Sequence, residues 1–348
     1  MIFRHGEFKN CHSIGYHKED FTFISSLKAC AKKKDLHEGG RLHADILERG
    51  LLESSPYVAS SLVSMYAKCG AFEKAHRVLK ELPDQNRNIV SWNALIGGYA
   101  QEGKGHDALH CFEQMQSEGI FPDNVTFICI LKACGKIRAV DEGKHIHGKI
   151  VTGGLLIKDI MVGNALVDMY MKCGLLQKAR KVFEELPVRD VVSWNALITG
   201  YSSQLEGEAR EALNCYEQMR REGIRPDAIT FICILKACGK VRAIDEGEQI
   251  HDEIVGRGLL EKDVMVGATL VDMYAKCGML LKAQNVLEQL PIRNVVSWSA
   301  LIVGYVEQGR SHEALNYFAQ MKIEGLFPDA VIFICILRAC GCTGDIDK

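Results

Sequence analysis

The sequence predicts an all-α fold, a right-handed α-solenoid superhelix of helix–turn–helix repeats. Three observations predict it: self-similarity at long range, apolar residues at helical spacing, and turn signals at regular intervals. Ser91-Trp92-Asn93-Ala94-Leu95-Ile96 returns as Ser193-Trp194-Asn195-Ala196-Leu197-Ile198 and again as Ser297-Trp298-Ser299-Ala300-Leu301-Ile302. Between these phrases, Phe127 to Gly135 matches Phe231 to Gly239 and, less closely, Phe23 to Ala31. Leu166-Val167-Asp168-Met169-Tyr170 likewise matches Leu270 to Tyr274 and resembles Leu62 to Tyr66. Each long period therefore holds three unequal units of roughly 35, 36 and 31 residues, a length typical of helical repeat proteins.

Each unit reads as two helices. Trp194, Leu197, Ile198 and Tyr201 follow the i, i+3, i+4, i+7 spacing of one apolar helix face. After a break over Ser202–Gly207, Ala212, Tyr216 and Met219 line a second face, which Gly223 and Pro226 end. The short unit repeats the pattern with Leu166, Met169 and Tyr170, a break at Lys172-Cys173-Gly174, then Ala179, Val182, Phe183 and Leu186 before Pro187. A hairpin of this size cannot bury both faces alone, whereas stacked neighbours can, leaving a long concave groove.

The expected organisation is an N-terminal extension over 1–19, then nine complete units at 20–55, 56–88, 89–123, 124–159, 160–190, 191–227, 228–263, 264–294 and 295–329. A tenth starts at Ala330 and stops at Lys348, which reads as an array cut short.

Composition fits a well-packed helical protein, with 47% hydrophobic and 25% charged residues, 7 Pro and 32 Gly. No apolar run reaches the roughly 18 residues needed to cross a membrane, so no membrane partner is expected, and no transit peptide or secretory signal is evident at the start. A net charge of −2 argues against a protein that holds nucleic acid mainly by neutralising phosphates. Of the 14 cysteines, Cys30, Cys134, Cys238 and Cys340 share one register, Cys69, Cys173 and Cys277 a second, and Cys129, Cys233 and Cys335 a third. Recurrence at helix-interior positions reads as packing by a small apolar side chain. So many free thiols fit a reducing compartment, and no metal or other cofactor is implied.

The phrases Val191 to Tyr201, Gly223-Ile224-Arg225-Pro226-Asp227, Asp168 to Gly174 and Gly247-Glu248-Gln249-Ile250-His251 carry a closer likeness. In this order they resemble the plant pentatricopeptide repeat family, specifically its PLS class of alternating standard, long and short repeats, over residues 20 to 348. In that assignment 20–55, 124–159 and 228–263 are long, 56–88, 160–190 and 264–294 short, and 89–123, 191–227 and 295–329 standard.

The resemblance implies sequence-specific binding of single-stranded RNA, one repeat per nucleotide, by a specificity factor for organellar RNA processing such as C-to-U editing. The fifth and last residues of each repeat would read one base edge. An Asn amide offers donor and acceptor, and an ionised Asp only acceptors. Carried over, the reading pairs are Ser60 with Asn88, Asn93 with Asp123, Asn164 with Asp190, Asn195 with Asp227, and Ser299 with Asp329. Asn294 is paired with Ala268, which leaves that repeat unassigned, as Ile24, Ile128 and Ile232 do the long repeats. Val90, Val192 and Val296 fall at the base-stacking position. The implied target is N-A-U-N-U-U-N-N-G-N, 5′ to 3′. Partners implied are editing-complex proteins or a deaminase in trans, and the implied location is mitochondrion or chloroplast.

Other readings of the same residues are structural. Trp92, Trp194 and Trp298 have core spacing, and His43, His147 and His251 recur in register as packing residues. Asp141-Glu142 and Asp245-Glu246 precede a second helix, which they would cap. Asp123, Asp227 and Asp329 directly follow Pro and read as ordinary turn residues. No catalysis is expected: the zinc-deaminase signature, whose second half is Pro-Cys-x-x-Cys, is incomplete because no cysteine pair has that spacing. The rival reading is a protein–protein scaffold of tetratricopeptide type, which the near-neutral charge favours.

Overall fold

A computed structural model describes residues 18–343. The expected extension up to residue 17 and the end of the chain from residue 344 lie outside the described residues. Among those described, all regular structure is α-helical, in two compact units, Met1–Leu175 and Leu176–Lys348.

The first unit contains α1 (Lys18–Lys33), α2 (Leu36–Glu48), α3 (Leu51–Ser54), α4 (Pro56–Lys68), α5 (Phe72–Glu81), α6 (Ile89–Gln101), α7 (Gly105–Ser117), α8 (Asn124–Ile137), α9 (Val140–Thr152), α10 (Leu155–Lys158) and α11 (Ile160–Lys172). Its organising contact is between the leading helices of successive hairpins: α1 packs on α4, α4 on α6, α6 on α8, and α8 on α11. Trailing helices wedge into the joints, α5 against both α4 and α6, and α7 against both α6 and α8.

The second unit contains α12 (Leu176–Glu185), α13 (Val191–Ser203), α14 (Glu206–Arg221), α15 (Ala228–Val241), α16 (Ile244–Gly256), α17 (Leu259–Lys262), α18 (Val264–Lys276), α19 (Leu280–Gln289), α20 (Val295–Glu307), α21 (Ser311–Ile323) and α22 (Ala330–Thr343). Here α13 packs on α15, α15 on α18, α18 on α20 and α20 on α22, with α14, α19 and α21 in the joints.

The unequal unit lengths have a structural cause. Leading helices keep nearly constant length, and trailing elements absorb the difference. Short hairpins trail with 10-residue helices, α5, α12 and α19. Long hairpins add the 4-residue turns α3, α10 and α17 after their second helix. Those turns were not foreseen from apolar spacing. They start at Gly50, Gly154 and Gly258, whose φ of 62°, 65° and 61° lies in the left-handed region that glycine tolerates best. The break expected over Ser202–Gly207 is also narrower: α13 runs to Ser203 and α14 begins at Glu206, one turn earlier than its counterparts.

The aromatic landmarks are core. Trp92, Trp194 and Trp298 are buried, and the Trp194 ring meets Phe183 edge-on at 4.6 Å. Each tryptophan hairpin is closed at its surface by an ion pair of recurring register: Arg87–Glu118 at 3.1 Å, Arg189–Glu222 at 3.3 Å and Arg293–Glu324 at 2.8 Å. The recurring histidines join hairpins through tyrosine, with His43 Nδ1 3.0 Å from Tyr66 Oη and His251 Nδ1 2.9 Å from Tyr274 Oη. His147 and Tyr170 repeat the contact at 2.8 Å. Register cysteines pack as small apolar groups. Burial pushes the Cys134 and Cys238 thiols up to about 12, and Cys173 Sγ lies 3.7 Å from Met169 Sδ.

One expectation is corrected. Asp141-Glu142 and Asp245-Glu246 do not cap α9 and α16. The caps are Ala139 and Ala243, which have no side-chain acceptor, and the acidic residues sit inside the first turn. There they favour the positive end of the helix dipole.

Close approach of leading helices requires small residues. A Cβ on Gly304 in α20 would lie 2.7 Å from Ala275 Cβ in α18, and one on Gly98 in α6 would lie 2.9 Å from Ala67 Cβ in α4. Gly148, on the exposed side of α9, has nothing within 4 Å. Gly304→Ala is therefore expected to destabilise. Overpacking costs about 1–3 kcal/mol, against a helix-propensity gain of about 1 kcal/mol. Gly148→Ala should stabilise by about 0.5–1 kcal/mol. Urea-denaturation midpoints check both, and equal gains would contradict close packing at Gly304.

Candidate nucleic-acid interface

The interface is built from the beginnings of the leading helices. Each such helix needs acceptors for its first backbone N–H groups, and the residue just before it supplies them. Ser55, Asn88, Asp123, Asp159, Asp190, Asp227, Asp263 and Asn294 are the N-caps of α4, α6, α8, α11, α13, α15, α18 and α20. Asp329 Oδ1 likewise accepts from the Ile332 amide at 2.9 Å. The residues singled out as the last of each unit are thus caps, more specific than turn residues. The equivalent caps of the long units, Ser55, Asp159 and Asp263, were missed by sequence reasoning.

In two hairpins the reading pair is joined directly. Asn93 Nδ2 donates to Asp123 Oδ1 at 3.0 Å, and Asn195 Nδ2 donates to Asp227 Oδ1 at 3.0 Å. The same Oδ1 atoms accept the capping amides of Thr126 at 2.8 Å and Thr230 at 2.9 Å. These bonds converge on one carboxylate oxygen of each aspartate, Oδ1, while the Asp123 carboxylate also accepts from the Val125 amide. Asn93 is half-buried and Asn195 is buried, while both aspartates remain part-exposed.

The other pairs differ. Ser60 is buried, and its hydroxyl donates to the Pro56 carbonyl at 2.7 Å, with Asn88 Oδ1 farther off at 3.4 Å. Asn164 lies in the first unit and is buried, and Asp190 caps α13 in the second. Ala268 is buried, and Asn294 caps the next leading helix. Ser299 is half-buried and Asp329 exposed.

The stacking candidates Val90, Val192 and Val296 are exposed, one residue into their helices. They belong to a larger set that sequence matching overlooked. The same register is held by Phe21, Tyr57, Val125, Met161, Ile229, Met265 and Val331, and all ten are between 45% and 71% exposed. Chemical variety hid them; their constant offset from the cap residue is the signal that finds them. Five such exposed apolar side chains in one register in each unit mark a surface made for contact within that unit.

In the first unit these positions share a groove of about 570 Å³ lined by Ile24, Ser60, Asn88, Val90, Asn93 and Val125. Lys28 and Lys68 stand along the same wall, a turn or two farther along their helices. The groove therefore offers an apolar face, a polar edge and a cation in order, which is the set needed for a flat base, its hydrogen-bonding edge and its phosphate.

The PPR repeat family model matches residues 87–136, 189–240 and 293–342, and the PPR repeat model matches 57–86, 164–191 and 269–295, together more than half of the chain. The chain belongs to the PPR repeat family. A chloroplastic pentatricopeptide repeat-containing protein of Arabidopsis thaliana is 38% identical over 322 residues, covering 92% of this chain and 51% of that protein. A mitochondrial relative from the same plant is 36% identical over 334 residues, covering 96% of this chain and 32% of its own length. The chain thus spans about half the length, or less, of these PPR relatives. Among solved structures, the pentatricopeptide repeat protein PPR10 in complex with an 18-nt psaJ RNA element aligns with a TM-score of 0.70 at 21% identity, over 87% of this chain and 45% of that one. PPR10 from maize aligns with a TM-score of 0.68 at 20% identity, over 88% and 44%. These likenesses establish the PPR fold.

The caps set a testable stability. Burial raises the Asp123 carboxyl, but hydrogen bonds from the Thr126 amide, the Asn93 side chain and the Val125 amide, with the Thr126 hydroxyl 2.9 Å away, outweigh it, so the group sits below its ordinary value. A carboxyl lowered by folding contributes stability that is complete above its unfolded pKa of about 3.9 and lost as pH falls through the folded one. Asp123→Ala should cost about 0.5–2 kcal/mol. The cost should be equal at pH 7 and pH 5.5, since both lie well above about 3.9. Chemical denaturation at the two pH values checks this, and a cost that changes between them would contradict the assignment.

Proposed function

We propose that this chain binds single-stranded RNA with sequence preference, one hairpin per nucleotide, as a specificity factor for RNA processing such as C-to-U editing in a mitochondrion or chloroplast. The observation that carries the reading is the repeated pairing of an exposed apolar residue with a capping Asp, Asn or Ser at the starts of α4, α6, α8, α11, α13, α15, α18 and α20. An unstacked base needs an apolar surface for its ring and polar partners for its edge, and this register supplies both within a few residues. The joined pairs favour a pyrimidine. Asn Nδ2–H donates and Asp Oδ2 accepts, a pattern that matches the carbonyl and N3–H of uracil.

The chemistry of the register also accounts for the near-neutral charge. Stacking on an aromatic side chain is worth about 1–3 kcal/mol per base, and packing a base against an aliphatic one likewise needs no cation. Lys172 and Lys276 pair with Asp168 at 2.6 Å and Asp272 at 2.7 Å on their own helices, so part of the lysine charge is offset locally. In this reading the alternation of long, short and standard hairpins supports membership of the PLS class, and a deaminase acting in trans would supply the chemistry.

The proposed target is 5′-N-A-U-N-U-U-N-N-G-N. Binding of this ten-mer should exceed that of scrambled RNAs, with equal affinity for all rejecting the code. Asn195→Thr should move the sixth-nucleotide preference from uracil toward guanine by about 1–3 kcal/mol, the worth of one base-edge contact. A salt titration separates the rival: no RNA binding even at low ionic strength would instead favour a protein-binding scaffold.

A further inference from the structure

An asparagine amide can be placed either way round, and the two placements show a base opposite chemistry. Something must choose between them if Asn93 and Asn195 are to read. The carboxylate of the joined pair makes the first choice: it only accepts, so the amide turns Nδ2 toward Asp123 or Asp227. This leaves Oδ1 facing the next leading helix, where a threonine stands. Thr126 Oγ1 is 2.7 Å from Asn93 Oδ1, and Thr230 Oγ1 is 2.7 Å from Asn195 Oδ1. Each hydroxyl accepts the N–H of the adjoining aspartate at 3.2 Å, so its single proton is available to donate. The aspartate Oδ1 atoms compete for that proton at 2.9 Å but already accept two N–H groups each. Both threonines are fully buried, so solvent does not compete.

We infer that Thr126 and Thr230 are specificity-positioning residues, each donating its hydroxyl proton to the reading asparagine so that the second Nδ2–H and the aspartate Oδ2 face the incoming base. The inference rests on the base-reading proposal and deepens it: specificity at one nucleotide depends on three residues from two successive hairpins. The third tryptophan hairpin supplies an internal contrast. Ile332 replaces threonine in the same register, and Ser299 replaces asparagine, while the Asp329 cap on the Ile332 amide is kept. Capping and positioning are therefore separable within one chain.

The test uses the full chain and ten-mers of the proposed target varied only at the sixth nucleotide. Thr230→Val, which keeps the shape and removes the hydroxyl, should lower the uracil-over-guanine affinity ratio at that nucleotide by roughly fivefold, the equilibrium worth of one ordinary hydrogen bond. The third-nucleotide ratio, read by Asn93 and Asp123, should stay unchanged, and Thr230→Ser should retain the wild-type ratio at both. Because the readout is a ratio at one position against another, a general loss of folded protein does not move it. If Thr230→Val fails to fold, a second arm decides: Ser299→Asn with Ile332→Thr should favour uracil at the ninth nucleotide roughly fivefold more than Ser299→Asn alone. An unchanged sixth-nucleotide ratio in Thr230→Val, or equal ninth-nucleotide ratios in the second arm, overturns this inference alone. A wild-type chain with no preference at the sixth nucleotide overturns the base-reading proposal and this inference with it.

Discussion

The contact between successive leading helices is the constraint on which the rest depends. A hairpin of this length exposes two apolar faces and can bury them only against its neighbours. Packing α4 on α6 and α18 on α20 does so at a distance that glycine and alanine make possible, as Gly98 against Ala67 and Gly304 against Ala275 show. That distance fixes how far apart equivalent side chains stand. Trailing helices are free to vary, and they do, from 10 residues in α5 to 16 in α14. The sequence can therefore change unit length without disturbing the surface that the leading helices present.

Much of the fold was legible because burial repeats. Trp194, Leu197, Ile198 and Tyr201 were identified by spacing alone and are all buried. The one-turn helices α3, α10 and α17 were not legible, since four residues cannot display a helical period. Their signal is the single glycine that reverses the chain before each. The acidic pairs at 141–142 and 245–246 misled for a related reason: an acidic residue suits both the cap and the first turn, and only backbone geometry tells the two apart.

The candidate interface was legible in part. Residues that recur with unchanged identity, such as Asn93 and Asn195 or Val90 and Val192, stand out in a sequence comparison of units. Residues that recur only in position do not. Phe21, Tyr57, Met161 and Ile229 share a register but no chemistry beyond being apolar, and their exposure becomes visible only on folded helices. Thr126 and Thr230 were hidden differently: each lies in the hairpin after the one it serves, more than 30 residues from its asparagine.

The caps carry a consequence for how such a protein can change what it recognises. Every residue that closes one hairpin also begins the next helix, and at Ser55, Asn88, Asp123, Asp159, Asp190, Asp227, Asp263, Asn294 and Asp329 only three short polar side chains are used. Side chains that start helices well form a small set. Mutational paths toward a new preference are thus filtered by foldability before recognition is considered: a hydrophobic or long cationic replacement would fray a helix first. The vocabulary of this position is written by helix initiation, and diversity must come from its partners, the fifth residue and the side chains packed behind it.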